Sequence, residues 1–124
     1  MIEINDIEEL NTFIWENKND ILCLYFGATE WCEPCRRLKK KICDKNNLNE
    51  MDRLAICYID VDKTENESIC SIYKVNNLPT IIFIDIDKNN NVKILETIIG
   101  YDWIGFRMLY DRLLYRKKNE NNIN

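Results

Sequence analysis

Cys32 and Cys35 are the residues of this 124-residue chain whose type and spacing promise chemistry. Only Glu33 and Pro34 separate them. An apolar run, Ile21-Leu22-Cys23-Leu24-Tyr25-Phe26, precedes the pair, and a basic, helix-compatible run from Arg36 to Ile42 follows it. If Phe26 ends a strand and Pro34 lies in the first turn of a helix, Cys32 sits at the helix N-terminus. Unpaired N–H groups and the helix dipole favour negative charge there. The thiolate is the reactive form of cysteine, so that position makes Cys32 a nucleophile. Cys35, one turn on, is close enough to close a disulfide, and the chemistry predicted is thiol–disulfide exchange.

A pair of cysteines at this spacing also suits half of a zinc site. Zinc needs two more ligands, the chain has no histidine, and Cys23, Cys43, Cys57 and Cys70 form no second C-x-x-C. No metal is expected. Cys23 and Cys57 lie inside apolar strand-like runs and read as reduced core residues. Cys43 falls eight residues after Cys35, about 12 Å along a helix axis, too far for direct pairing. Cys70 reads as structural, with an exposed regulatory thiol as the alternative.

The segment Trp31-Cys32-Glu33-Pro34-Cys35 resembles the W-C-G-P-C active site of the thioredoxin family, with Glu33 where the family has glycine. Tyr73-Lys74-Val75-Asn76-Asn77-Leu78-Pro79-Thr80 is similar to the family's Y-x-V-x-x-I/V-P-T, whose proline follows a cis peptide bond and faces the disulfide. Gly100, after the last expected strand, matches the groove glycine. The resemblance covers about residues 1–116, leaving 117–124 as a polar tail. It implies an α/β thioredoxin-like fold, a central five-stranded mixed sheet flanked by four helices. It also implies a protein-disulfide reductase in which Cys32 attacks and Cys35 resolves. Trp31, Leu78, Pro79 and Gly100 would then line the groove for the substrate chain. No bound cofactor is implied, and electrons would come from NADPH through a thioredoxin reductase, or from glutathione.

Several positions depart from the family pattern. Lys40 stands at the site of a helix-bending proline, so a straighter helix is expected. Thr29-Glu30 adds a loop residue. The family's buried aspartate, which helps deprotonate the resolving cysteine, maps to Tyr25 or Phe26, and its lysine partner to Tyr58. Glu33 raises the Cys32 pKa by charge, whereas Arg36 and the helix dipole lower it. These departures give weight to a second function, a redox-weak binding module that holds a partner in the groove. An iron–sulfur or zinc site shared between two chains through Cys32 and Cys35 is a third, which the intervening Pro34 disfavours in this family.

Length and composition suit one soluble domain: 46% apolar and 31% charged residues, with a net charge of −4. That charge gives no reason to expect nucleic acid. No run approaches the roughly 20 apolar residues of a membrane span. The acidic start Met1–Asp6 has no signal-peptide core, and unpatterned cysteines favour a reducing compartment. A cytoplasmic monomer is expected, with organellar targeting by an upstream segment left open.

Along the chain, Ile2–Ile4 reads as a strand. Asp6 and Glu9 form a capping box before a helix carrying Ile7, Leu10, Phe13 and Ile14 on one face. The Ile21–Phe26 strand leads to the helix opening at Pro34, expected to run to about Asn46. Leu54–Asp60 is a strand, with Asp60 and Asp62 as strand-end and helix-cap residues. A short helix over Asn66–Lys74 should turn Ile69, Ile72 and Tyr73 inward. Thr80–Ile86 and Val92–Ile98 form a hairpin around Asp87–Asn91. The spacing of Trp103, Phe106, Leu109, Tyr110, Leu113 and Leu114 predicts a final amphipathic helix.

Overall fold

The computed structural model describes the backbone of residues 1–123 and side chains through Glu120. The polar tail expected over 117–124 therefore falls partly outside the described residues. Strand β1 (Ile2–Ile4) leads into helix α1 (Ile7–Glu16), followed by β2 (Ile21–Gly27) and α2 (Glu33–Ile42). Then come α3 (Lys45–Glu50), β3 (Leu54–Asp60), a 3-10 turn (Thr64–Asn66) and α4 (Glu67–Ile72). The hairpin β4 (Thr80–Ile86) and β5 (Val92–Ile99) precedes the long α5 (Trp103–Ile123).

The five strands form one mixed sheet in the order β1-β3-β2-β4-β5. β3 runs parallel to both β1 and β2, whereas β4 is antiparallel to β2 and to β5. All seven residues of β2 are buried, as a continuous apolar run covered on both faces requires. Alternation divides them. Ile21, Cys23 and Tyr25 pack with Leu38, Ile42, Phe106 and Tyr110 from α2 and α5. Leu22, Leu24 and Phe26 pack with Leu10, Phe13 and Ile69 from α1 and α4. Cys23 and Cys57 are buried free thiols within these two cores.

Local chemistry fixes the helix starts. Asp6 accepts the Glu9 N–H at 2.8 Å while Glu9 accepts the Asn5 N–H at 2.8 Å, so the first turn of α1 is capped from both sides. Asp102 accepts the Gly105 N–H at 2.9 Å at the start of α5. In the β4–β5 turn, one Asp87 oxygen accepts from Asn89 and Asn91.

Three sequence expectations need correction. The second helix stops at Ile42 rather than near Asn46, because Asp44 adopts an extended conformation and accepts the Asn46 N–H at 3.0 Å, starting α3. Ile72 is 61% exposed; Ile69 alone is fully buried from α4, with Tyr73 half-buried beside it. Asp62 caps no helix, since the 3-10 turn after it begins without a side-chain cap. Among the described residues, no helix is long and apolar enough to cross a membrane.

Candidate active site

The parallel register of β2 and β3 brings their carboxyl ends level, with Gly27 opposite Asp60. Val61 N–H bonds Gly27 O at 2.9 Å, so residues 61–62 run beside the loop that carries Trp31. A Cβ on Gly27 would come within 2.8 Å of the Tyr58 hydroxyl and 3.2 Å of Cys35 Cβ. Glycine is required here for close approach: β2, β3 and α2 converge within one side-chain thickness.

Cys32 is the N-cap residue of α2, and Pro34 occupies the first turn. Its Sγ accepts the Cys35 N–H at 3.3 Å, and the two cysteines form a disulfide with their Cα atoms 5.2 Å apart. Cys32 is 5% exposed and Cys35 fully buried, both packed against Ala28, Val61 and Leu78. Leu78–Pro79 is a cis peptide unit. Gly100, at φ 89°, donates its N–H to Pro79 O at 2.8 Å, linking the end of β5 to that loop.

The other predicted site residues surround the pair. Trp31 is 63% exposed, and its Nε1–H donates to Asp62 Oδ2 at 2.7 Å. The Arg36 guanidinium donates to Thr29 O at 3.1 Å and so ties the active-site loop to α2. Glu33 lies exposed at the first position of the helix.

Beneath Cys35 lies a pair of tyrosines, Tyr25 and Tyr58, with ring centroids 5.4 Å apart. Tyr25 Oη–H donates to the Cys35 carbonyl at 2.5 Å. Thr29 Oγ1–H donates to the Tyr58 hydroxyl at 3.1 Å. Burial pushes the ionisation of both phenols upward, so both are neutral near pH 7. Phe26 points to the opposite face of the sheet, where it packs near Tyr73. Tyr25, not Phe26, is therefore the β2 residue that faces Cys35.

The contacts of Asp62, Thr29 and Val61 at this site are not evident from the sequence. The available signal was the pairing of β2 with β3: two strands ending level put the residues after Asp60 beside the residues after Gly27. The Asp60-Val61-Asp62 pattern by itself points to strand-end and helix-cap roles instead.

The family model described as Thioredoxin matches residues 2–98. The chain belongs to the thioredoxin family. A *Drosophila melanogaster* relative, Thioredoxin-T, is 38% identical over 71 residues, 57% of this chain and 40% of its own length. Thioredoxin-1 of *Caenorhabditis elegans* is 35% identical over 79 residues, 64% of this chain and 62% of its own. These alignments thus span about two-fifths to three-fifths of each thioredoxin relative. The solved thioredoxin of *Fasciola hepatica* superposes with a TM-score of 0.75 at 27% identity, covering 90% of this chain and 98% of that one. The chain thus combines a five-stranded thioredoxin fold with a Cys32–Cys35 disulfide at the start of α2.

Proposed function

We propose that the protein is a protein-disulfide reductase of thioredoxin type, acting through Cys32 and Cys35. The observation that carries this reading is the unequal setting of the two sulfurs: Cys32 caps the helix and is the one with residual exposure, whereas Cys35 is sealed. In the reduced protein the same backbone N–H and the α2 dipole favour a Cys32 thiolate. That thiolate attacks a substrate disulfide, forms a mixed disulfide and expels the first substrate thiolate. Cys35, once deprotonated, attacks Cys32 Sγ and expels the second. Two electrons pass to the substrate and the Cys32–Cys35 disulfide remains. NADPH through a thioredoxin reductase, or glutathione, returns them.

Trp31, Leu78, Pro79 and Gly100 form the groove for the substrate's extended chain, with the Leu78 backbone as its hydrogen-bonding edge. Glu33 and Arg36 bias the Cys32 thiol in opposite directions. The free buried thiols Cys23 and Cys57 suit a reducing, cytoplasm-like compartment. The test is dithiothreitol-driven insulin reduction. Wild type should accelerate it well above the uncatalysed rate, and Cys32→Ser should abolish the acceleration. Equal rates for the two proteins would overturn the reductase reading in favour of a binding module.

A further inference from the structure

We propose that the exposed cationic face of α2, bounded by Tyr101, is a docking surface for acidic protein segments flanking the disulfide that Cys32 attacks. The inference rests on the reductase reading for its substrate class and on the following geometry for its charge preference.

Helix α2 holds five cations (Arg36, Arg37, Lys39, Lys40 and Lys41) and one carboxylate, Glu33. It is a +4 element in a chain of net charge −4. Elsewhere in the described residues four basic side chains are paired with acids, among them Arg53 with Asp20 at 3.2 Å, Lys63 with Glu3 at 2.8 Å and Arg112 with Glu96 at 3.0 Å. Among the described residues, none of the five α2 cations has a carboxylate within 4.0 Å.

Neutral groups hold four of them instead. Arg36 is anchored on Thr29 O. The Arg37 guanidinium lies 4.8 Å from the Tyr101 ring centroid, Lys39 Nζ 4.1 Å from that of Tyr58, and Lys41 Nζ 5.8 Å from that of Trp103. Such partners orient a cation without neutralising it. Leu38 and Ile42, buried on the opposite side of the helix, fix which face is presented.

The surface is continuous with the chemistry. Arg37, Lys40, Lys41 and Tyr101 line a groove of about 420 Å³ shared with Asn46 and Asn47. Its one carboxylate, Asp44, is already an acceptor for the Asn46 N–H. Tyr101 directly follows Gly100, whose N–H bonds Pro79 O at 2.8 Å, so the Tyr101 wall of the groove is tied to the Leu78–Pro79 loop. Near the cysteine pair, Glu30 is exposed and Asp62 accepts from the Trp31 indole N–H.

The charges are spread along an open helix face about 8 Å long rather than converging on one point, so they fit several acidic side chains better than a single small anion. The negative charge of the whole molecule disfavours a nucleic acid on the same face.

The experiment uses two peptides with the same disulfide loop, one flanked by glutamates and one by lysines, and thioether analogues of both that bind but cannot be reduced. The reduced protein should reduce the acidic peptide about tenfold faster than the basic one at low salt. The ratio should approach one near 1 M salt, where the Debye length is about 3 Å. Arg37→Glu/Lys40→Glu/Lys41→Glu should invert it, and fluorescence anisotropy of the thioether analogues should follow the same order. Equal binding of the two analogues would overturn the docking surface, as would tighter binding of a single-stranded oligonucleotide than of the acidic analogue. A binding preference with neither disulfide peptide reduced would leave the docking surface standing and overturn the reductase reading.

Discussion

The Tyr25 hydroxyl supplies a hydrogen bond to the backbone of Cys35 but, with its ionisation pushed upward by burial, no proton acceptor near pH 7. Tyr58 is equally neutral. On the reductase reading Cys35 must give its proton to water, to the departing thiolate or to Glu33, so resolution should be slow at neutral pH and rise as the pH rises. A folded Tyr25→Asp protein should resolve mixed disulfides faster near pH 7 with a flatter pH dependence, measured by stopped-flow decay of a trapped substrate adduct. An unchanged profile would show that proton removal is not limiting. Tyr25→Phe deletes the bond to the buried carbonyl and should cost about 1–3 kcal/mol in urea unfolding. The same phenols make stability fall in alkali. Burial holds their folded pKa values above the ordinary tyrosine value of about 10, so the contribution is intact below that pH and is lost as the pH rises beyond it. The urea midpoint of wild type should therefore drop above pH 10, more steeply than that of Tyr25→Phe. At Glu33, replacement by glycine removes a carboxylate beside Cys32, and thiolate absorbance should then report a lower Cys32 pKa; an unchanged or raised value refutes that role.

At the scale of elements, the junction of β2, β3 and α2 turns on Gly27. An alanine there meets the Tyr58 hydroxyl at 2.8 Å and its ring edge at 3.0 Å. Gly27→Ala should destabilise by about 1–3 kcal/mol through overpacking, and Tyr58→Phe, which removes the nearest atom, should recover part of that loss. Additive effects in the double mutant would mean that the strand shifts instead of the ring. How much of this was legible in the sequence depended on the range of the forces involved. The apolar run Ile21–Phe26, the Asp6–Glu9 capping box and the Cys32–Pro34 helix start are written in neighbouring residues, and each is found where the pattern implied. The end of α2 was not legible from apolar spacing, because the stop is set by a polar residue, Asp44, whose side chain caps the start of α3. Ile72 read as core because it is apolar and lies three residues after Ile69, yet only tertiary packing decides which face of so short a helix is covered. Trp31 and Asp62 meet across 31 positions of sequence, and only the strand register brings them together.

For the molecule as a whole, the cysteines divide by depth. Cys23 and Cys57 lie in the two cores on opposite faces of the sheet, whereas Cys43 and Cys70 are partly exposed. Burial pushes the Cys23 and Cys57 thiols up from 9.0, so both proximity to solvent and thiolate content oppose their reaction. Native oxidised protein should label rapidly at Cys43 and Cys70 alone, with the other two appearing only in denaturant; prompt labelling of Cys23 or Cys57 by mass spectrometry would contradict the packing. The separation of charge between α2 and the remaining chain has a consequence for handling. A net-acidic molecule, with pI near 4.9, would be sent to an anion exchanger. Yet a patch five cations strong is a macroscopic dipole end, and an anionic bead, mica sheet or carboxylated electrode feels the near face before the average. On such a support the protein should land α2 first, with the Cys32–Cys35 bond turned toward the surface, a built-in orientation for wiring the redox centre to an electrode.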